Sequence, residues 1–168
     1  MLYTSAEANK LLRSLKDKMD TEDRKERENY TYQAALGEDI ESVRPPYDFA
    51  VTNARLQEIG SKIAAVKHAI NLFNVRTTVV DGITIDMALV MLPQLQRRKT
   101  MLDAMRVLPK MKRNQLYGNG RANVIDYTYA NFSPDDAEEE YKRVSAEIDK
   151  IQLALDRVNT TEKMEIDI

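Results

Sequence analysis

Few residues in this chain have the type and spacing that chemistry needs. The single histidine, His68, follows Lys67 inside a stretch that reads as long helix. Zinc sites and histidine-activated nucleophiles require partners at fixed spacing. None accompanies His68, so the expectation is a partly exposed structural histidine. Asp135, Asp136, Glu138, Glu139 and Glu140 crowd together, but they lack the alternating ligands of a calcium loop, and adjacent helical positions diverge around the axis. They are expected to favour a helix start, and neither a metal nor a cofactor is expected. Gly118-Asn119-Gly120-Arg121 suits an anion-binding turn only loosely, with no phosphate-loop Lys-Ser/Thr and no dinucleotide fingerprint. The chemistry left open is anion recognition. Arg97, Arg98, Lys112, Arg113 and Arg121 could line a basic inter-helical pocket for a phosphorylated substrate, with Asn71, Asn74 and Asp81 as further ligand candidates. No residue stands out as its general base, and no catalytic residue is assigned.

Composition narrows the classes. With 168 residues, the chain has room for one ordinary domain and excludes two large catalytic ones. There is no cysteine, which removes disulfides and thiolate chemistry and suits a cytoplasmic setting. No window approaches the 18 or so apolar residues of a membrane span, so membrane association is not expected. Lys and Arg number 25 against 27 Asp and Glu, but the charge is unevenly spread. Residues 95–121 hold eight bases against Asp103 alone, whereas residues 133–168 hold 11 acids and five bases. The two regions are expected to dock, within one chain or between copies. Nucleic-acid binding is not expected from a chain of net charge -2, although Tyr117, Tyr127 and Tyr129 are stacking candidates if the basic surface stays free.

The elements that must position these residues are helices. Ala8, Leu11, Leu12, Leu15 and Met19 form a stripe in a first helix from Ser5 to about Tyr32, whose charged end, TEDRKEREN, reads as a solvent-exposed extension. Leu56, Ile59, Ile63, Val66, Ile70 and Phe73 recur at intervals of three and four, one seam of a helix over about 47–73. Asn71 and Asn74 read as its terminators. Ala88, Leu92, Leu95, Leu102, Met105 and Leu108 outline a third helix over 84–111, interrupted by Lys99 and expected to kink or divide at Pro93. Ala137, Tyr141, Val144, Ile148, Ile151, Leu155 and Val158 give the firmest period, in a helix capped by Ser133 with Pro134 at its first position. β-Branched residues flank Asp81-Gly82, a hairpin signal. A second extended piece over 124–129 could join it in a sheet, and there Tyr127 and Tyr129 share a face with Ile125, as core or as subunit interface. The expected fold is mainly α: an antiparallel long-helix bundle with coiled-coil-like packing and a small β-hairpin or sheet at one end. It spans 1–168 as a single helical domain, with 37–46 as connector and 74–84 and 117–132 as end-cap loops or short strands.

The run Ala69-Ile70-Asn71-Leu72-Phe73-Asn74, followed by Thr77-Thr78-Val79-Val80-Asp81-Gly82-Ile83-Thr84-Ile85, resembles the septicolysin-like family of small bacterial helical proteins. The similarity continues through Leu92, Leu95 and Arg97-Arg98 to Ile148-Asp149-Lys150-Ile151-Gln152 and Asn159-Thr160-Thr161-Glu162, over about residues 50–162. It implies a helical protein that forms higher-order homo-oligomers, and the toxin-like label implies membrane damage, for which the chain has no membrane hairpin or strongly apolar helix. Long one-sided helices independently favour a non-enzymatic homo-oligomeric structural or interaction protein, a dimer or higher. The alternatives are a small-ligand or phosphorylated-substrate enzyme, a nucleic-acid-associated protein and a membrane-active one.

Overall fold

The computed structural model describes residues 1–114 and 126–168. They are mainly helical, with three small two-stranded antiparallel sheets. The chain divides into two compact units, residues 1–77 with 157–168 and residues 78–156, the last helix contributing to both.

The first unit is built on two antiparallel helices, α1 (Ser5–Asn29) and α3 (Phe49–Arg76). Thr4 caps α1 by accepting from the Glu7 amide, while the Glu7 carboxylate accepts from the Thr4 amide at 2.8 Å. Two otherwise orphaned donors are thereby satisfied. Ala8 and Leu15 of α1 pack with Val66 and Ile70 of α3, and Leu11, Leu12, Ile63 and Phe73 surround them. Farther along the pair, Met19 faces Gly60, and Glu26 accepts from the Tyr47 hydroxyl at 2.8 Å. The charged end of α1 is therefore not simply solvated, as its sequence suggests. Glu22 keeps 17% of its side chain exposed and lies 3.9 Å from Arg55. Short strands at the chain ends, β1 (Leu2–Thr4) and β6 (Lys163–Glu165), pair in antiparallel register with Tyr3 opposite Met164. Met164 and Ile166 complete this core.

Between α1 and α3 the expected connector contains one turn of helix, α2 (Ile40–Val43), capped by Asp39. Asn71 and Asn74 do not terminate α3. The helix runs on to Arg76, and the Thr77 amide closes it on the Phe73 carbonyl, because the β-branched run after it prefers extended backbone.

The second unit opens with the hairpin β2 (Thr78–Val80) and β3 (Ile83–Thr84). Its turn residues Asp81 and Gly82 both have positive φ, 51° and 78°, the backbone a two-residue hairpin loop requires. Thr84 then caps α4 (Ile85–Arg106) through the Met87 amide. α4 is not divided at Pro93, as the sequence allowed. Pro93 and Leu89 both lie on its exposed side, so water can satisfy the carbonyl that the proline leaves free. α5 (Pro134–Thr161) runs antiparallel to α4, with Ser133 accepting from the Asp136 amide at 3.3 Å. Leu102, Ala137 and Val144 form the buried centre, flanked by Leu95, Met105, Phe132, Tyr141 and Ile148. Ile151 and Leu155 are buried as their spacing predicts, and Val158 is half-buried.

The second extended piece does not join the first hairpin. β5 (Tyr127–Tyr129) pairs instead with β4 (Met111–Arg113), where the sequence predicts no strand and Lys112 and Arg113 stand out only as ligand candidates.

Candidate functional site

α4 has one buried stripe, and on its other side apolar side chains are left exposed. Ile85, Ala88, Leu92, Leu95, Lys99, Leu102 and Arg106 recur at intervals of three and four and are buried or half-buried. Leu95, Lys99, Leu102 and Arg106 of this stripe face α5, and its two cations are part of the packing. Arg106 lies 4.3 Å and Lys99 5.5 Å from the centre of the Tyr141 ring, where the ring's negative face attracts them. Arg106 also pairs with Asp103 at 2.7 Å and Glu138 at 3.0 Å. Hydrogen bonds from Arg106 and Lys142 hold the Glu138 carboxyl below the usual carboxylate range. With Lys110 and Asp135 at 3.5 Å, these contacts join the basic end of α4 to the acidic start of α5 within one unit.

On the opposite side, Met87, Val90, Gln94, Arg97 and Met101 repeat at the same intervals, and all five are exposed. Met87, Val90 and Met101 retain 48%, 57% and 58% of their surface. Apolar side chains at both ends of a solvent-facing stripe are costly in water, because each half-exposed methionine or valine forgoes roughly 1 kcal/mol of burial. Leu108, expected on the packed face, lies beyond the end of the helix and is exposed.

Asn71 is exposed and Asn74 half-buried, both in the first unit, whereas Asp81, Arg97, Arg98, Lys112 and Arg113 are exposed in the second. Asp81 is paired with Lys150. Arg98 adds to the field that lowers the Glu140 carboxyl, after the larger effect of the hydrogen bonds from Arg143. Arg121, Tyr117 and Ile125 lie outside the described residues. His68 is exposed on α3. Among the described residues no cluster of three or more His, Cys, Asp or Glu side chains could hold a metal ion.

A groove of about 530 Å³ runs between α1 and α3, with Leu15 and Ile59 at its floor and Asp17, Lys18, Glu22, Arg55, Glu58 and Lys62 around it. Its charges already answer one another, Glu58 with Lys62 at 2.6 Å and Glu22 with Lys25 at 2.8 Å. The groove lining carries as many acids as bases. A smaller apolar pocket of about 230 Å³ lies where Leu108, Pro109, Tyr129 and Phe132 meet Lys112. It contains no acid–base pair.

No family model matches the chain, and no curated protein is detectably similar to it. Among solved structures, it is similar to a functionally unknown conserved protein from Corynebacterium diphtheriae, at a TM-score of 0.58 over 98% of this chain and 100% of that one. The two share a fold. At 15% identity the likeness carries the mainly helical architecture with its small sheets and nothing about activity. Among the described residues no helix is long and apolar enough to cross a membrane.

The sequence reading did not single out the exposed side of α4. Its signal was present in Met87, Val90 and Met101 at helical spacing. It was masked because apolar side chains on opposite sides of a helix leave little net amphipathic direction.

Proposed function

We propose that this protein is a non-enzymatic, homo-oligomeric structural or interaction protein whose copies associate through the outer face of α4, in a cytoplasmic setting suited to a cysteine-free chain. The observation that carries the reading is the exposed stripe Met87, Val90 and Met101 on a helix already packed on its other side. Met87 and Met101 lie one heptad on either side of Gln94. A second copy packed antiparallel about Gln94 brings Met87 of each chain against Met101 of the other, the self-complementary arrangement that two-fold symmetry requires. Dispersed, solvent-facing arginines favour this over catalysis.

The test is sedimentation equilibrium at tens of micromolar protein. The double variant Met87→Glu, Met101→Glu removes four half-exposed methionines from the two-fold contact, about 4 kcal/mol of burial at roughly 1 kcal/mol each, or about a thousandfold in dissociation constant. Wild type is expected as an oligomer and the double variant as a monomer, with Met87→Leu, Met101→Leu still associating. A monomeric wild type, or an unchanged mass for the glutamate variant, overturns the reading.

A further inference from the structure

The ribbon of β4 and β5 has an unprotected edge. Every residue of both strands is exposed, and among the described residues the ribbon has no third strand. An isolated pair of strands is at best marginally stable in water, and added strands with an apolar face stabilise it. The apolar side chains are present. Met111, Tyr127 and Tyr129 share one face with Arg113, and the two tyrosine rings lie 6.3 Å apart, yet Tyr127 and Tyr129 remain 42% and 65% exposed.

Hydrogen bonding shows which backbone groups are free. The Asn114 amide donates to Asp126 at 2.9 Å and the Ala130 amide to Lys110 at 3.1 Å. Antiparallel ladders alternate, so the pairs 110/130, 112/128 and 114/126 exchange hydrogen bonds, while Tyr127 and Tyr129 turn their amides and carbonyls away from β4. The outer edges differ in charge. β4 reads Met-Lys-Arg, the kind of charged edge that discourages further pairing, while β5 reads Tyr-Thr-Tyr, uncharged and rich in strand-favouring residues.

We propose that β5 is a self-recognition edge, pairing antiparallel with β5 of a second copy to make a four-stranded sheet ordered β4-β5-β5-β4. This deepens the homo-oligomer reading and rests on it, but uses a surface separate in sequence from the α4 stripe. Between two copies, charge decides which edge pairs. Pairing through β4 would set Lys112 against Lys112 of the other chain, and like charges directly opposite destabilise a sheet. Pairing through β5 opposes no charges and keeps the lysines on the two outermost strands. The free backbone groups fix the register: Tyr127 of each chain exchanges hydrogen bonds with Tyr129 of the other, and the two Thr128 residues face each other across the axis. Four tyrosines then line one face of the sheet, where cross-strand aromatic pairs add stability.

Because the chain has no cysteine, a single introduced thiol reports the register. Facing residues in the pair that exchanges no hydrogen bonds have Cα atoms about 4.5 Å apart, within disulfide reach. Full-length Thr128→Cys is expected to oxidise in air to a covalent dimer as the dominant species. Lys112→Cys, also exposed but on the outer strand, should stay largely monomeric on a non-reducing gel. Failure of Thr128→Cys to cross-link, while wild type sediments as an oligomer, overturns the β5 pairing and leaves association through α4 standing. Equal cross-linking of both variants, the mark of random collision, also overturns it. A monomeric wild type overturns the association reading itself.

Discussion

Gly60 gives a sharp test of how α1 and α3 meet. It sits inside α3, where glycine costs about 1 kcal/mol relative to alanine through backbone entropy. Its position suggests that close packing excludes a side chain. The geometry says otherwise for a methyl: a Cβ placed there meets only the Met19 Cε, at 3.5 Å, an ordinary van der Waals contact with the mobile end of a flexible side chain. Gly60→Ala should therefore recover most of the propensity term, stabilising by about 0.5–1 kcal/mol, or roughly 1–4 °C in melting temperature for a chain of this size. Gly60→Leu adds three further carbons in the same place. It should push α1 from α3 at an overpacking cost of about 1–3 kcal/mol, which exceeds or cancels the propensity gain. The assay is thermal and urea unfolding followed by far-ultraviolet circular dichroism, at one fixed protein concentration because association raises apparent stability. A lower melting temperature for Gly60→Ala, or a gain for Gly60→Leu equal to that for alanine, would refute the packing described for this pair.

Other outcomes follow from the second unit and from the caps. Leu102→Ala should cost about 2–5 kcal/mol in urea unfolding, since Leu102 is 1% exposed between Ala137 and Val144 and its removal leaves a cavity. Gly82→Ala should cost about 1–2 kcal/mol by the same measurement, because its φ of 78° is one that a side chain disfavours, although the site is sterically open. Acid should weaken the fold through Glu7 and Glu138. Hydrogen bonds from Thr4 lower the Glu7 carboxyl, and those from Arg106 and Lys142 lower that of Glu138, both from an ordinary 4.5. Their contribution is complete above that value and is lost as pH falls through the depressed folded values. Glu7→Gln, which keeps the capping geometry but leaves no carboxyl to titrate, should flatten the acid limb of a melting-temperature profile, and an unchanged limb would contradict the Glu7 part of this account.

Much of this fold is written in local pattern. The stripe from Ala137 to Leu155 becomes a packed helix face, and Asp81-Gly82 becomes a turn, because period and turn chemistry act over a few residues. Partnership is less visible. Nothing local tells Leu2–Thr4 to pair with Lys163–Glu165, and Met111–Arg113 becomes a strand only by meeting Tyr127–Tyr129. Apolar stripes also carry no address, so the sorting of α1 with α3 and of α4 with α5 depends on three-dimensional fit. Of the candidate residues, the inward heptad positions were legible, whereas Tyr127 and Tyr129 proved exposed instead of filling a core. The arginines and asparagines were singled out by type alone, and type does not bring side chains together.

The central claim is that the outer face of α4 is covered in the native protein. Methionine oxidation read by mass spectrometry tests it most directly, because Met87 and Met101 are 48% and 58% exposed in the single chain while Met1, at 83%, serves as an open reference. The account predicts that brief oxidant pulses at tens of micromolar protein spare Met87 and Met101 relative to Met1, and that dilution to monomer removes the protection. Oxidation of both at rates set by their single-chain exposure, unchanged by dilution, would contradict it.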